Sequence, residues 1–170
     1  MVYRGTLLAL VLLQAAPTQA ARSTDVIRWH GDGVQIYDCA QAGGRYAWTL
    51  RQPDAVLTDA GGHVSGHHGA GPSWTATDGS RVVGHVLTII PAPRPGAIPW
   101  LVLQATKHDS CGALAGVSYV LRTETVGGVA PAGGCSHDQA GAVVSVPYQA
   151  NYSFLQPAEG ASSGATPCRP

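Results

Sequence analysis

Glycine and proline cut this chain so often that no apolar run after residue 20 keeps the length an amphipathic helix needs. The 170 residues include 22 glycines and 12 prolines, and segments punctuated at that spacing have the length of strands. The clearest is residues 144–154. There Val144, Val146, Tyr148, Ala150, Tyr152 and Phe154 alternate with Ser145, Pro147, Gln149, Asn151 and Ser153, a period of two with one apolar face. Pro147 has no N–H to give a ladder, so this strand is expected at an edge or beside a bulge.

Shorter segments repeat the pattern. Residues 34–39 and 46–51 read as a pair of strands, followed by 55–58 and 63–67 around the turn Asp59-Ala60-Gly61-Gly62. Residues 98–105 are almost continuously apolar and read as a strand covered on both faces. Residues 117–124 set Val117, Tyr119 and Leu121, the expected inner face, against Ser118, Arg122 and Glu124. A two-residue turn at Asp78-Gly79 pairs Thr77 with Ser80. That register puts Trp74 opposite Val83 and makes His85, Leu87 and Ile89 core. Residues 91–95, 127–134 and 157–170 read as loops or tail. Many short strands with almost no helix predict an all-β fold, an antiparallel β-sandwich or barrel stabilised by disulfides.

Residues 1–20 have the form of a signal peptide, with Arg4 ahead of an apolar run at 7–16 and Thr18-Gln19-Ala20 as the cleavage pattern. The expected organisation is therefore an export signal at 1–20, one β-rich domain at 21–156 and a C-terminal tail at 157–170. The protein is expected to be secreted, to the extracellular space or periplasm, without membrane insertion, since the apolar run falls short of a span. Ten Lys and Arg balance ten Asp and Glu, so no single-sign field invites nucleic acid. Cys39, Cys111, Cys135 and Cys168 all follow the signal. An even count in an exported chain predicts two disulfides, and spacing alone leaves three connectivities open.

Several residues could carry chemistry. His63 and His67 share one strand face and, with His85, form a candidate metal set. His67 with Asp78 is a candidate acid/base pair, although Asp78 already has a structural task in its turn and no G-x-S-x-G supplies a nucleophile. Trp74 could stack a sugar ring, with Arg122, Gln149 and Asn151 as hydrogen-bonding partners; core packing is the plainer role for Trp74. No G-x-G-x-x-G opens a helix after a strand, and no cofactor is expected.

The ordered segments Gly33-Val34-Gln35-Ile36-Tyr37-Asp38-Cys39, Pro53-Asp54-Ala55, Gly66-His67, Gly71-Pro72-Ser73-Trp74, Asp78-Gly79-Ser80, Ile98-Pro99-Trp100-Leu101, Arg122-Thr123, Ala130-Pro131 with Cys135, and Val146-Pro147-Tyr148-Gln149-Ala150-Asn151-Tyr152 together resemble the DUF3455 family of secreted bacterial and fungal proteins. Members share cysteines at the positions of Cys39 and Cys135, so the resemblance implies that pair and leaves Cys111 with Cys168. The family carries no activity over to this chain. The functional expectation is a non-enzymatic binding module for a glycan or cell-envelope component. The alternative is a small secreted enzyme or metal-binding protein centred on His67, which requires His67 in a concave pocket beside a second polar group.

Overall fold

The computed structural model describes residues 25–156; the expected export signal, the expected tail and Cys168 lie outside them. Eight strands follow one another: β1 (Asp25–Ala42), β2 (Arg45–Thr58), β3 (Val64–Gly69), β4 (Ser73–Ala76), β5 (Arg81–Ile90), β6 (Trp100–Asp109), β7 (Tyr119–Gly127) and β8 (Val143–Gln156). Each pairs antiparallel with the next, and β8 returns to β1 from Asp25↔Gln156 to Asp38↔Val143, closing an up-and-down barrel. The all-β expectation holds, and of its two forms the chain adopts the barrel. The Cys39–Cys135 disulfide is present and joins residues 96 apart in sequence; the pairing expected for Cys111 falls on Cys168, outside the described residues.

The β8 alternation runs as the sequence predicts, with Tyr148, Ala150, Tyr152 and Phe154 buried inside the barrel. The edge position expected from Pro147 is not what the chain adopts, since β8 is paired on both sides; Pro147 lies opposite Val34 of β1 and just past the last β7–β8 pair, Gly127↔Tyr148, where no β7 partner is required of it. Closure brings the aromatic rings together along the barrel axis: Trp29 and Trp74 both stand edge-on to Phe154, at 4.9 and 5.9 Å between centroids. Tyr152 packs against Trp74 at 5.8 Å. Edge-to-face pairs of this kind add to the burial of large apolar surfaces.

Four expectations need correction. The β4–β5 turn has three residues, not two: Gly79 N donates to Ala76 O at 3.0 Å, Ala76 N donates to Ser80 O at 2.8 Å, and Gly79 takes a φ of 85°. Trp74 therefore faces Val82 rather than Val83, and a one-residue slip exchanges the two faces of the strand. Val82 and Gly84 are inside, while His85, Leu87 and Ile89 are exposed. Asp78 selects this turn, because its carboxylate accepts from Ser80 N and Oγ and from Ala113 N at 2.9, 2.6 and 2.7 Å.

In β7 the faces are likewise reversed: Val120 is buried and Tyr119 is exposed. Val120 and Arg122 lie opposite Phe154 and Tyr152, and cross-strand partners share a face. Val117, although buried, precedes the strand and is out of phase with it. In β6, Leu103 is buried but Gln104 is exposed, since a barrel wall hides only one side. Finally, residues 34–39 belong to one long β1, and 46–51 and 55–58 to one long β2. A bulge between Ile36 and Tyr37 absorbs the irregularity, and Pro53 lies beyond the Ala55↔His68 pair that opens the β2–β3 ladder.

The two ends of the barrel differ. At the lower end, the β6–β7 connection folds inward and buries Leu114 and Val117. Leu114 N donates to Ser80 Oγ at 3.1 Å, and Gln156 Nε2 donates to Ala113 O at 2.6 Å. This segment plugs the end. The upper end carries the β1–β2, β3–β4, β5–β6 and β7–β8 connections, and a cavity opens beside the β3–β4 connection.

Close approach between β1 and β2 depends on Gly33, where a Cβ would run into the Asp54 carbonyl oxygen and come within 2.5 Å of Ala55 Cα. Both obstacles are backbone. Gly33→Ala is expected to lower stability by about 2 kcal/mol or more in urea unfolding. Gly133→Ala, with nothing within 4 Å of the new methyl, should stay within about 0.5 kcal/mol of the parent.

Candidate functional site

Above the aromatic layer the barrel lining turns polar, around a cavity of about 340 Å³ at the open end. Gln35 from β1, Arg51 and Gln52 from β2, His68 from β3 and Arg122 from β7 supply its polar groups, and Pro53, Pro72, Val86 and Leu101 supply apolar wall. His68 and Arg122 arrive by register: Ala55↔His68 puts His68 on the inner face of β3, and Arg122↔Tyr152 puts Arg122 on that of β7.

His68 is 2% exposed. Its ring lies flat on Trp74, with centroids 4.6 Å apart and planes 3° from parallel. Its Nδ1 is 2.8 Å from Ser73 O. A carbonyl can only accept, so Nδ1 holds the proton and Nε2 keeps its lone pair. Burial pushes the imidazole down to about 4, against a smaller upward pull from the Ser73 carbonyl, and at neutral pH the ring is uncharged.

Arg122 is half-buried. Its Nε and Nη2 donate to Pro99 O at 3.1 and 2.8 Å. Burial lowers its pKa, while nearby Tyr152, Tyr148 and Tyr37 act in the other direction. A guanidinium nevertheless stays charged in a protein. No carboxylate forms an ion pair with it among the described residues, whereas Arg51, at the rim of the same cavity, donates its Nε to Asp38 Oδ2 at 2.7 Å.

Gln35 is 1% exposed, and its Nε2 is buried without a hydrogen-bond partner. Such an orphaned donor carries a desolvation cost of about 1–3 kcal/mol. The surrounding tyrosines are satisfied: Tyr37 OH donates to Gly128 O at 2.6 Å, and the hydroxyls of Tyr148 and Tyr152 lie 3.1 Å apart. Burial raises the pKa of all three, so they stay neutral. The cavity thus offers a fixed cation, an unpaired amide donor and an imidazole lone pair beside apolar wall. None of the side chains lining it is Ser, Thr or Cys.

Of the residues singled out in the sequence, Arg122 alone reaches this cavity. Trp74 lies beneath it as core. Gln149 is outside, donating to Asp32 Oδ2 at 2.8 Å, and Asn151 is outside, with Oδ1 2.9 Å from His30 Nδ1. His67 stands on the outer wall, its Nε2 2.7 Å from Asp54 Oδ1 and its side chain 53% exposed. Its carboxylate partner is Asp54 rather than Asp78, whose hydrogen bonds go to Ser80 and Ala113; the Ser80 hydroxyl first, then the Ala113 amide, hold Asp78 below the usual carboxylate range. His63 is exposed beside Asp59 and His85 is exposed on β5. No group of three or more His, Cys, Asp or Glu side chains gathers among the described residues.

The sequence reading did not select His68 or Gln35. Adjacent histidines at 67 and 68 cannot be assigned to faces by alternation alone. The usable signal was the β2 pattern Ala55 and Leu57, both buried, since pairing carries that face onto His68. Gln35 sits between Val34 and Ile36, so a period-two reading points it outward.

The fold and cavity define a closed β-barrel with an open, polar-lined cup. The chain belongs to the family described as protein of unknown function (DUF3455), whose model matches residues 19–156. No curated protein and no solved structure matches the chain.

Because His68 is neutral when folded and takes up a proton near 6.5 when unfolded, the unfolded state binds more protons between these values, and stability must fall as the pH drops through that window. About 3 kcal/mol is expected to be lost between pH 7.5 and 4, measured by urea unfolding. His68→Gln should flatten most of that slope, even if it lowers stability at neutral pH.

Proposed function

We propose that this chain is an exported, non-enzymatic binding protein that holds a small ligand, a glycan fragment or another cell-envelope component, in the open end of its barrel. The observation that carries the reading is the cup itself. Three polar side chains, His68, Arg122 and Gln35, converge there, with the charge of Arg122 unpaired by any carboxylate among the described residues and the Gln35 amide nitrogen without a partner, above a packed aromatic floor, which is the anatomy of a small-molecule site. Export is supported by the signal-like first twenty residues and by the Cys39–Cys135 disulfide, since such bonds persist in oxidising compartments. The outer wall carries Arg28, His30, Asp32 and Asp54 among its exposed residues, a charged face unlike a lipid-facing band. No helix among the described residues is long and apolar enough to cross a membrane.

The reading centred on His67 asked for a concave pocket, and His67 stands instead on the open outer wall beside Asp54. The cup therefore supports binding over chemistry at that residue.

A glycan array combined with thermal-shift measurements against cell-wall fragments tests the proposal. A ligand at about 100 times its Kd is expected to add about 2.7 kcal/mol and raise Tm by several degrees. Failure of every glycan and fragment in both formats would sink it.

A further inference from the structure

We propose that the ligand of the cup carries a carboxylate, held by Arg122 with the Gln35 amide as second donor, on a compact apolar body packed against Val86 and Leu101. This inference rests on the binding reading above and specifies its chemistry.

Two independent observations point to it. The first is the uncompensated charge of Arg122. Of the two arginines lining the cavity, Arg51 has its carboxylate, Asp38, whereas Arg122 is surrounded by neutral tyrosines and a neutral imidazole, and its partners, the Pro99 carbonyl and the Tyr152 hydroxyl, are all uncharged. A half-buried cation without a counterion is costly, and an anion that desolvates with it offsets that cost. The second is Gln35 Nε2, a donor in a side chain 1% exposed, without a partner, in the lining of the same cavity.

A cation and an amide N–H ask for the same thing: an acceptor carrying negative charge. A carboxylate presents two acceptor oxygens and one charge, matching one guanidinium and one amide donor. A phosphate dianion would bring a second charge with no second free cation to meet it. A neutral carbonyl would satisfy Gln35 and leave Arg122 uncompensated. Most of the remaining wall, Leu50, Pro53, Pro72, Val86 and Leu101, is apolar, with the Gln52 amide the one further uncharged polar side chain, and the volume of about 340 Å³ sits at the small end of ligand sites, roughly 300–1,000 Å³.

Calorimetric titration of the exported chain with benzoate, benzamide, glucuronate, glucose and inorganic phosphate tests the inference, since benzamide and glucose retain the bodies without the charge. Benzoate is expected to bind at least about tenfold more tightly than benzamide, and more tightly than glucuronate, with phosphate weaker than either carboxylate. Arg122→Gln should erase the preference for benzoate over benzamide. Gln35→Glu, a near-isosteric change that sets a like charge against the ligand, should abolish benzoate binding while sparing benzamide; circular dichroism confirms that each variant keeps its fold. If either variant fails to fold, the benzoate-to-benzamide ratio of the parent protein still decides.

Equal binding of the charged and neutral members of each pair, or a neutral glycan seated in the cup with benzoate excluded, would overturn the carboxylate and leave the binding reading standing. No binding by any probe, together with a blank glycan array, would overturn both.

Discussion

Everything inside this molecule exists because β1 pairs with β8. An open sheet of eight strands would present two unpaired edges and two solvent-facing sides. Joining the first strand to the last, over the whole stretch from Asp25↔Gln156 to Asp38↔Val143, removes both edges and creates an interior. Eight strands give a barrel just wide enough for side chains to fill. Here Trp29, Trp74, Tyr152 and Phe154 fill the middle, Leu114 and Val117 fill the bottom, and the filling stops short of the top.

The β character, the β8 face and the pairing of Cys39 with Cys135 were readable from the residues or from the family resemblance, because each has a local signature: alternation, glycine spacing, a shared cysteine. Register was not. The Asp78-Gly79 dipeptide does mark a hairpin, but a carboxylate that also reaches Ala113 selects a three-residue turn, and the inner face of β5 passes from Val83, His85 and Leu87 to Val82, Gly84 and Val86. In β7 the same loss of phase follows from Val117, buried by the plug rather than by the strand. Adjacent strands transmit a face, so one misread turn misassigns several side chains together.

Most of the candidate site was illegible for a related reason: Arg122 was singled out, but as part of the polar outer face of β7, and Gln35 and His68 were not singled out. Its polar residues occupy inward positions where alternation predicts apolar ones: Gln35 between Val34 and Ile36, His68 beside His67, and Arg122 next to Leu121. Such local conflict between pattern and place concentrates at functional positions, where a chain tolerates a cost to stability. The orphaned Gln35 amide and the uncharged, flattened His68 are two forms of that cost. By contrast, the histidines that drew attention in the sequence are all exposed, His67 and His85 on the outer wall and His63 in the β2–β3 connection, away from the core.

The inward fold of residues 110–118 bears on the proposed binding. Leu114 and Val117 are buried at one end of the barrel, so a ligand held at the opposite end, as proposed, would have to leave along the path by which it entered. On that proposal occupants would exclude one another, in a space whose lining includes Gly71, Pro72 and Arg51.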